Sequence, residues 1–592
     1  MPTIPQIVPV VTQESIENEA EVWQWASRAQ YARLVAANPT ALLVRIGQRF
    51  IFDDIEATCQ DYRRYTGQRG QEATHTVGQL CRALLVKHLK GWSYRHTCAE
   101  LQTNNLVRWF VGYDLQEATL SFVTLQRFGS WVAQRHPRLF FNAILTQIDQ
   151  DFPDEVAKPQ VGDTFALLAN VAPQSRTDLL RDACRRLHLL WQQIDLDRPL
   201  PGYTPELAQA LFGPPTERPD YFLNKAERDV RETETALAAA RCLDLFQQAV
   251  REHPPRPSIH TQSLHKWMGL LAKALADEFV CQRDPDGLVI SARHATEKER
   301  GSFVLGSTVD PEATFRKHGD QVDLGYNVHV AATNNFIREI FVTTGAVPDA
   351  AGVAALIAHQ VDQLGQAPPK LIYDRAAGSP KTFQAVAQAS NGQTQLVARL
   401  IDHSQNSQRF GPLDFTLEAD GSLTCPGEQS STKVYRSNGA DGWTYRFSAA
   451  QCQGCPLWEK CRGPLAAPEE VPAEVDGAPP EKKGRTGPKP TSYRQVFISD
   501  YRSQQRLAIL YTRTAEFQAD MRLRPGIEGT IAALVRYNDA RQAHAIGLLK
   551  ADFQERMAAV AFNLKRWRRL TLAQEKAQRV TASTGPPDAA PD

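Results

Sequence analysis

The sequence has almost no net charge and no long apolar run. Across its 592 residues, 67 Lys and Arg face 66 Asp and Glu, which leaves a formal net charge of +1. A chain-wide basic surface for nucleic acid is therefore excluded, and such contacts have to come from local clusters. No apolar run approaches the roughly 18 residues of a membrane span, and the start, MPTIPQIVPVV, lacks the charged-then-apolar order of a signal peptide. We therefore expect a cytoplasmic protein that does not interact with membranes.

Closely spaced cysteines are confined to one segment. Six of the ten cysteines are scattered singly through helical-looking sequence, as expected for small buried hydrophobes: Cys59, Cys81, Cys98, Cys184, Cys242 and Cys281. The remaining four fall in CPG, then CQGC, then a last Cys, and this spacing is close to that of a structural zinc site with four thiolate ligands. Free thiols are the alternative. The zinc ligands would be Cys425, Cys452, Cys455 and Cys461.

The first half of the chain has helical periodicity. We expect a helical domain over residues 1–150, whose clearest helix runs from Thr76 to Lys90, with Ser93 as the cap of the next helix. Several short helices then follow as far as Arg127 and Trp131, a succession that resembles a helix-turn-helix DNA reader. A plain helical bundle with a structural Arg and Trp explains the spacing equally well. Residues 151–295 remain helix-prone and are predicted to form a helical connector without a catalytic constellation.

From Ser302 the pattern changes to strands. SFVLGSTVD, LGYNVHVAAT and NFIREIFVTTG are predicted strands, a helix begins near Asp349 and ends at Gly365, and the strand KLIYD follows. Three strands, a helix and a fourth strand form the opening of a ribonuclease H-like arrangement, which we place at residues 296–395. Asp310 would end the first strand and Asp374 the fourth, and in such sheets those strand ends lie side by side.

The last part of the chain is predicted in three sections. Residues 396–505 form a β-rich insertion that carries the four cysteines and a flexible Pro-rich loop. Residues 506–572 complete the core: a helix begins at Pro525 with Arg524 and Glu528 one turn apart, and a basic helix follows from about residue 551 to 570. Residues 573–592 are expected to be a disordered tail.

These motifs together resemble a known enzyme family. The order of the motifs resembles that of DDE-type insertion-sequence transposases, in the branch with a β-rich insertion before the glutamate. The motifs are, in order, STVDPEA, GYNVHVA, a strand ending in Asp, CPxG with CxxC, RPGIEG, GLLK and NLKR. The N-terminal part of the chain resembles the helical domain that precedes the core in these enzymes, in the segments LCRALLVKHLKGWSYR, NNLVRWFVGY and TLQRFGSW. The resemblance covers most of the chain. It implies a multi-domain α+β protein with a helical DNA-binding region, an interrupted ribonuclease H-like α/β core and basic C-terminal helices.

The resemblance also implies a set of site residues. Asp310, Asp374 and Glu528 would be the catalytic carboxylates that hold two Mg²⁺ ions, with Mn²⁺ as a substitute, and a structural Zn²⁺ would bind the four cysteines. From the residues alone, Asp323 competes with Asp310, and Glu528 has the alternative reading of an acid favoured by a helix N-terminus. The residues expected to bind DNA are Arg524, Arg536, Lys550, Lys565, Arg566, Arg568 and Arg569.

The implied function is DNA transposition. Such an enzyme binds terminal inverted repeats, cuts double-stranded DNA and joins the freed ends to a target, and a homodimer is expected in the DNA complex because two ends must meet. It would be a bacterial-type, nucleoid-associated protein of the cytoplasm. Two alternatives stay open: a catalytically inactive descendant that binds DNA as a regulator, and a nuclease that cuts without joining.

Overall fold

The computed structural model describes residues 13–62, 74–194, 200–214, 216–400, 409–437, 441–463 and 493–583. The chain divides into two compact units. The first comprises Met1–Glu155, Thr164–Pro348 and Gly529–Asp592, and the second comprises Val156–Asp163 and Asp349–Glu528. Among the helices of the described residues, none has both the length and the apolar character needed to cross a bilayer.

The N-terminal part of the first unit is helical, as predicted. Thr76 caps the fourth helix with a capping box, in which its Oγ1 accepts from the Gln79 N–H at 3.1 Å, and Gly91, at φ 66°, ends that helix. Ser93 caps the next helix, also as predicted. Trp131 is buried against Tyr62. The helices are α1 (Gln13–Ala37), α2 (Leu42–Arg49), α3 (Asp53–Thr58), α4 (Val77–Lys90), α5 (Tyr94–Thr103), α6 (Asn105–Val111), α7 (Phe122–Arg135) and α8 (Leu139–Asp151).

The predicted helical connector is only partly helical, which corrects the prediction for residues 151–295. It opens with a strand, β1 (Gln160–Leu168), and closes with an antiparallel hairpin of β2 (Phe279–Arg283) and β3 (Val289–His294). Between them lie α9 (Arg176–Ile194), α10 (Pro205–Phe212), α11 (Lys225–Glu252) and α12 (Ile259–Glu278). These helices share an apolar core that includes Leu187, Trp191 and Phe246.

An antiparallel group of strands follows in the first unit. It consists of β4 (Thr314–His318), β5 (Gln321–Ala332) and β6 (Ile337–Thr344), with β5 paired to both β4 and β6. A turn at residues 333–335 joins β5 to β6. The β5 strand also neighbours the first-unit half of β1, and there the Ala169 N–H donates to the Leu324 carbonyl at 3.0 Å.

The strand predicted for SFVLGSTVD is wrong. Residues 302–313 form turns and loop, with an isolated bridge between Leu305 and Thr314. Asp310 therefore does not end the first strand of the sheet. That position belongs to β1, which begins much earlier in the chain and carries Asp163.

The second unit contains a short parallel arrangement. Its part of β1 pairs in parallel with β7 (Lys370–Ile372), and β7 pairs in parallel with β8 (Gln395–Val397). Helices α13 (Val353–Leu364) and α14 (Pro380–Ala389) connect these segments, and α13 ends at Gly365 as predicted. The buried amides of Gln360 and Gln160 exchange hydrogen bonds of 2.8 and 2.9 Å, which satisfies two polar groups in this core.

The insertion is β-rich, and it belongs to the second unit. A two-stranded pair, β9 (Thr416–Leu417) and β10 (Leu423–Thr424), precedes a three-stranded antiparallel sheet of β11 (Lys433–Arg436), β12 (Gly442–Phe447) and β13 (Arg494–Ser499). Two short helices, α15 (Ala449–Cys452) and α16 (Trp458–Arg462), lie between β12 and β13. Phe415, Tyr445 and Phe447 are part of a small apolar core. The predicted flexible loop falls at 464–492, outside the described residues.

Four helices complete the chain: α17 (Arg502–Thr512), α18 (Ala515–Met521), α19 (Pro525–Tyr537) and α20 (Leu548–Ser583). Helix α19 begins at Pro525, as predicted. Helix α20 buries an apolar stripe that consists of Phe553, Met557, Val560, Leu564 and Trp567. It is longer than predicted, because it continues to Ser583 through part of the expected disordered tail. Residues 584–592 lie outside the described residues.

Candidate active site

Two aspartates follow the paired parts of neighbouring parallel strands in the second unit. Val161 of β1 pairs with Ile372 of β7, and two residues further along each segment come Asp163 and Asp374. A Cβ at Gly162 would lie 2.7 Å from the Tyr373 ring, so glycine at this position lets the two segments stay close. Because each aspartate follows the registered pair by two residues, the parallel register puts Asp163 and Asp374 at the same level of the two adjacent segments.

Local hydrogen bonds fix Asp374 at this edge. The Tyr373 N–H donates to the Val397 carbonyl at 2.9 Å, which extends the pairing of β7 and β8 beyond the last strand residue. Asp374 Oδ1 accepts from the Ala376 N–H at 2.9 Å and caps a single 3₁₀ turn, Arg375–Ala377. The carboxylate is thereby oriented by the backbone that follows it and is only half-buried.

Arg524 lies close to both Glu528 and Asp163. One terminal guanidinium nitrogen of Arg524 lies 3.8 Å from Asp163 Oδ2, and the other lies 3.7 Å from Glu528 Oε1. These distances are ionic contacts, too long for strong hydrogen bonds. Within the described part of the chain, the buried Nε of Arg524 has no hydrogen-bond partner. The predicted placement of Arg524 and Glu528 one turn apart is confirmed, and Asp163 joins them.

Lys370 secures the segment that precedes Glu528. Located at the start of β7, its ammonium donates to Asp520 at 2.8 Å, to Tyr511 at 3.0 Å and to Glu516 at 2.5 Å. This network fastens α17 and α18 to the strand after which Asp374 lies. Because Arg524 and Glu528 follow α18 directly, the network helps to position them relative to Asp374.

Asp310 has a different environment in the first unit. It is fully buried, and its Oδ2 accepts from the Tyr326 hydroxyl at 2.6 Å and, more weakly, from the Gly547 N–H at 3.4 Å. Burial and the bond to Asp310 raise the pKa of Tyr326, so this hydroxyl stays protonated and donates. Asp310 Oδ1 is buried and has no hydrogen-bond partner among the described residues. Asp310 therefore ties β5 to the loop before α20.

Sequence patterns had not singled out Asp163. The strand that carries it is almost continuously buried, so it shows no alternation of polar and apolar residues, and an apolar run of this kind cannot be told from a buried helix by periodicity. The available signal was the short segment QVGDTFALL itself, with a Gly-Asp pair inside a β-prone run. The competing candidate, Asp323, lies on β5 and accepts from Gln321 at 2.9 Å.

The four predicted zinc ligands line one cavity of the insertion: Cys425, Cys452, Cys455 and Cys461. A Cβ at Gly427 would lie 3.4 Å from the Cys455 sulfur and 3.8 Å from the Cys425 sulfur, so both sulfurs lie close to the glycine of the CPG turn. Burial raises the pKa of the Cys452 and Cys461 thiols, and the neighbouring cysteines add to the shift. All four thiols are free of disulfides.

A third group of possible metal ligands lies in the first unit. It consists of Asp229 and Glu232 on α11 and His294 on β3, whose possible ligand atoms all lie within 4.8 Å of one another. Among the described residues, neither the four cysteines nor the carboxylates of the second unit come as close together. Arg176, however, already pairs with Glu232 at 3.0 Å and with Glu278 at 2.6 Å. The guanidinium neutralises the buried carboxylate, so we interpret this group as an ion-pair network.

Most residues of the predicted DNA-binding cluster on α20 have structural partners. Lys565 donates to Asn538 at 2.8 Å, Arg566 to the Asn334 carbonyl at 2.8 Å, and Arg568 to the Thr40 carbonyl at 2.6 Å. Burial lowers the pKa of Lys565 and that of Arg566. Arg536 and Arg569 are exposed. These contacts do not show that the cluster binds DNA, and its DNA-binding role stays a prediction.

Two family models match the chain. One, described as a transposase DDE domain, matches residues 424–568, and the other, described as a transposase domain (DUF772), matches residues 33–130. Neither the curated proteins nor the solved structures contain a match to this chain. The first match includes Glu528 and the four cysteines, and the second includes helices α4 to α6. The predicted resemblance is thereby confirmed, and the two matches together indicate an insertion-sequence transposase of the DDE type.

Proposed function

We propose that this protein cuts and joins DNA ends at a site formed by Asp163, Asp374 and Glu528. The observation that carries the proposal is the position of Arg524, which lies within 4 Å of both Asp163 and Glu528 while β1 and β7 put Asp163 beside Asp374. Asp163 takes the place that the sequence motif had suggested for Asp310. With Asp163 as the first carboxylate, the elements that would correspond to the three strands, helix and fourth strand of a ribonuclease H-like core are β1, β5, β6, α13 and β7.

The donor set fits a pair of divalent cations. Mg²⁺ prefers carboxylate oxygens, and the transposase DDE match implies a dependence on divalent metal. Asp163, Asp374 and Glu528 would hold these ions. When bound, such ions lower the barrier to phosphodiester cleavage by activating the attacking oxygen and stabilising the leaving one. Arg524, with its buried and unpaired Nε, is placed to donate to an oxygen of the scissile phosphate.

The substrate of this proposal is double-stranded DNA with terminal inverted repeats. A homodimer in the DNA complex would hold the two ends together. Arg536 and Arg569 are exposed and available to phosphates, whereas Lys565, Arg566 and Arg568 would have to exchange their present partners for DNA. Phosphate contacts of this kind make binding strongly dependent on salt.

The four cysteines are proposed to bind a structural Zn²⁺. All four residues line one small cavity, and the CPG and CQGC turns bring cysteines close in the chain, as in paired zinc ligands. The raised pKa values of Cys452 and Cys461 mean that their protons must leave when metal binds. Zinc affinity, measured by chelator competition, should therefore rise between pH 6 and pH 8. A pH-independent affinity would contradict ligation by these thiols.

The central experiment is cleavage of a labelled duplex that contains the DNA flanking the gene. Wild-type protein with Mg²⁺ should nick the repeat ends and join them to a target duplex, while Asp374→Ala should bind the same duplex without cutting it. Equal product from both proteins would exclude the site. Wild-type binding without any cleavage would favour the inactive, regulatory alternative, and cleavage without joining would favour a nuclease.

A further inference from the structure

A cavity of about 490 Å³ lies within the first unit, separate from the carboxylates of the second. One wall consists of the end of α4, the start of α5 and one face of α7. The other consists of residues 539–554, which comprise the loop before α20 and its first turns. One of the two transposase-family matches contributes to each wall. A volume of this size accommodates a sugar-phosphate group or a nucleotide.

Lys87 is the unusual residue of this cavity. Its side chain lines the space, yet only 6 % of the residue is exposed. In the part of the chain that the structure describes, Lys87 forms no ion pair and no hydrogen bond, and its ammonium lies 4.8 Å from the centre of the Tyr94 ring. Burial lowers the pKa of Lys87 to about 8. Asp539 on the opposite wall acts on Lys87 electrostatically but forms no ion pair with it among the described residues. A buried ammonium without a direct anionic contact is costly, which favours an anionic ligand in the cavity.

The neighbours of Lys87 also favour an anion. Lys550 lines the opposite wall, where the His544 Nε2 lies 2.8 Å from an Asp539 carboxylate oxygen, so that carboxylate already has a close partner. Burial raises the pKa of Tyr94 to about 12, so its hydroxyl remains a hydrogen-bond donor. Ser93 and Tyr94 stand at the N-terminus of α5, where the helix dipole attracts negative charge.

Gly129 of α7 preserves this arrangement. A Cβ at that position would lie 2.6 Å from the Tyr94 hydroxyl oxygen and 3.2 Å from Leu84 Cδ1. The absence of a side chain therefore allows Tyr94 to reach the cavity while Lys87 lies against its ring. Gln126 and Ser130 on the same helix add neutral polar groups to the wall.

We propose that this cavity binds a backbone phosphate of a DNA strand, held by Lys87 and Lys550 across the two walls and by the start of α5. The proposal rests on the proposed function and identifies where the N-terminal helices would hold the substrate. A free nucleotide or inorganic phosphate carries the same chemical group. DNA is favoured because the two walls come from the two segments that match transposase families.

The test compares Lys87→Met with Lys90→Met in the full-length protein. Lys90 lies on the same helix, carries the same charge and is exposed outside the cavity, so it is a matched control. Binding of a fluorescent duplex containing the flanking DNA is measured by anisotropy over a series of salt concentrations. Lys87→Met should bind about tenfold more weakly, with a salt slope reduced by about one phosphate contact, and Lys90→Met should bind like wild type.

Thermal unfolding separates this role from a structural one. Because Lys87→Met removes a buried and unpaired charge, its melting temperature should equal or exceed that of wild type while its DNA affinity falls. A purely structural lysine would show the opposite: lower stability with unchanged affinity. Competition with dAMP and with inorganic phosphate tests whether the cavity binds a free ligand instead of DNA. If either compound displaces the duplex at micromolar concentration, the ligand is a free one and the DNA assignment is wrong.

The outcomes also separate this proposal from the previous one. If Lys87→Met binds the duplex as tightly as wild type while Asp374→Ala still fails to cut, the cavity proposal is wrong and the catalytic site stands. If wild type cuts nothing but Lys87→Met loses affinity, the cavity binds DNA and the catalytic proposal fails. If wild-type protein binds no duplex at all, both proposals fall.

Discussion

Asp163 and Asp310 have opposite surroundings. Asp163 lies two residues beyond the pairing of β1 with β7, its side chain is 20 % exposed, and the Arg524 guanidinium lies 3.8 Å from its Oδ2. Asp310 lies in a loop, is fully buried, and is held by the Tyr326 hydroxyl at 2.6 Å. A metal-binding carboxylate has to reach solvent and substrate, whereas a carboxylate that ties two segments together is better protected from both. We therefore propose a chemical role for Asp163 and a structural role for Asp310.

The largest difference between Asp163 and Asp310 is expected when each carboxylate is exchanged for an amide. Asp163→Asn keeps the shape but weakens metal binding, so Mg²⁺-dependent cleavage should fall by about three orders of magnitude. Asp310→Asn should retain most of the activity, because an amide oxygen can still accept from Tyr326. Single-turnover cleavage of the flanking duplex measures both. Loss of activity in Asp310→Asn with normal activity in Asp163→Asn would restore the original motif-based assignment.

Arg524 tests the surroundings of Asp163. Arg524→Gln removes the charge that faces Asp163 and Glu528, and cleavage should fall about a hundredfold if the guanidinium also contacts the phosphate. The same change should lower the Mg²⁺ concentration needed for half-maximal activity, because less positive charge opposes the ions. Arg522→Gln, an exposed neighbour, is the control. An unchanged Mg²⁺ dependence in Arg524→Gln would argue against a metal site beside this residue.

Caps, glycines and alternating strands made much of this fold predictable. Thr76 and Gly91 bounded α4, Gly365 ended α13, and Pro525 began α19, because each signal acts within one turn of the backbone. The site was only partly predictable. Asp374 and Glu528 follow from local patterns, but the pairing of β1 with β7 joins segments that are separated by the helices of the connector and by β5 and β6. No local pattern encodes that register, and the sequence motif points instead to Asp310, at the end of the strand predicted for SFVLGSTVD.

The architectural side of the comparison predicts a stability effect. Tyr326→Phe deletes the donor to Asp310 and leaves a buried carboxylate without its main hydrogen bond, which should lower the free energy of unfolding of the first unit by about 1–3 kcal/mol. Urea unfolding followed by tryptophan fluorescence measures the change. Asp163→Asn, at a partly exposed position, should change stability by less than about 0.5 kcal/mol. Equal losses in both variants would remove the distinction between the two carboxylates.

Glu555 extends the contrast to a second buried carboxyl of the first unit. It is fully buried on α20, and burial together with Asp552 and Asp539 raises its pKa to about 8. A raised folded-state pKa means that the folded protein binds the proton more tightly than the unfolded chain. Its stabilising contribution is therefore complete below the ordinary pKa of a glutamate and is lost as the pH rises through about 8. Glu555→Gln should flatten the fall in melting temperature between pH 5 and pH 8, and the exposed Glu528→Gln should leave that slope unchanged. If both variants retain the wild-type slope, Glu555 is charged in the folded protein, and burial alone does not distinguish the architectural carboxylates from those of the site.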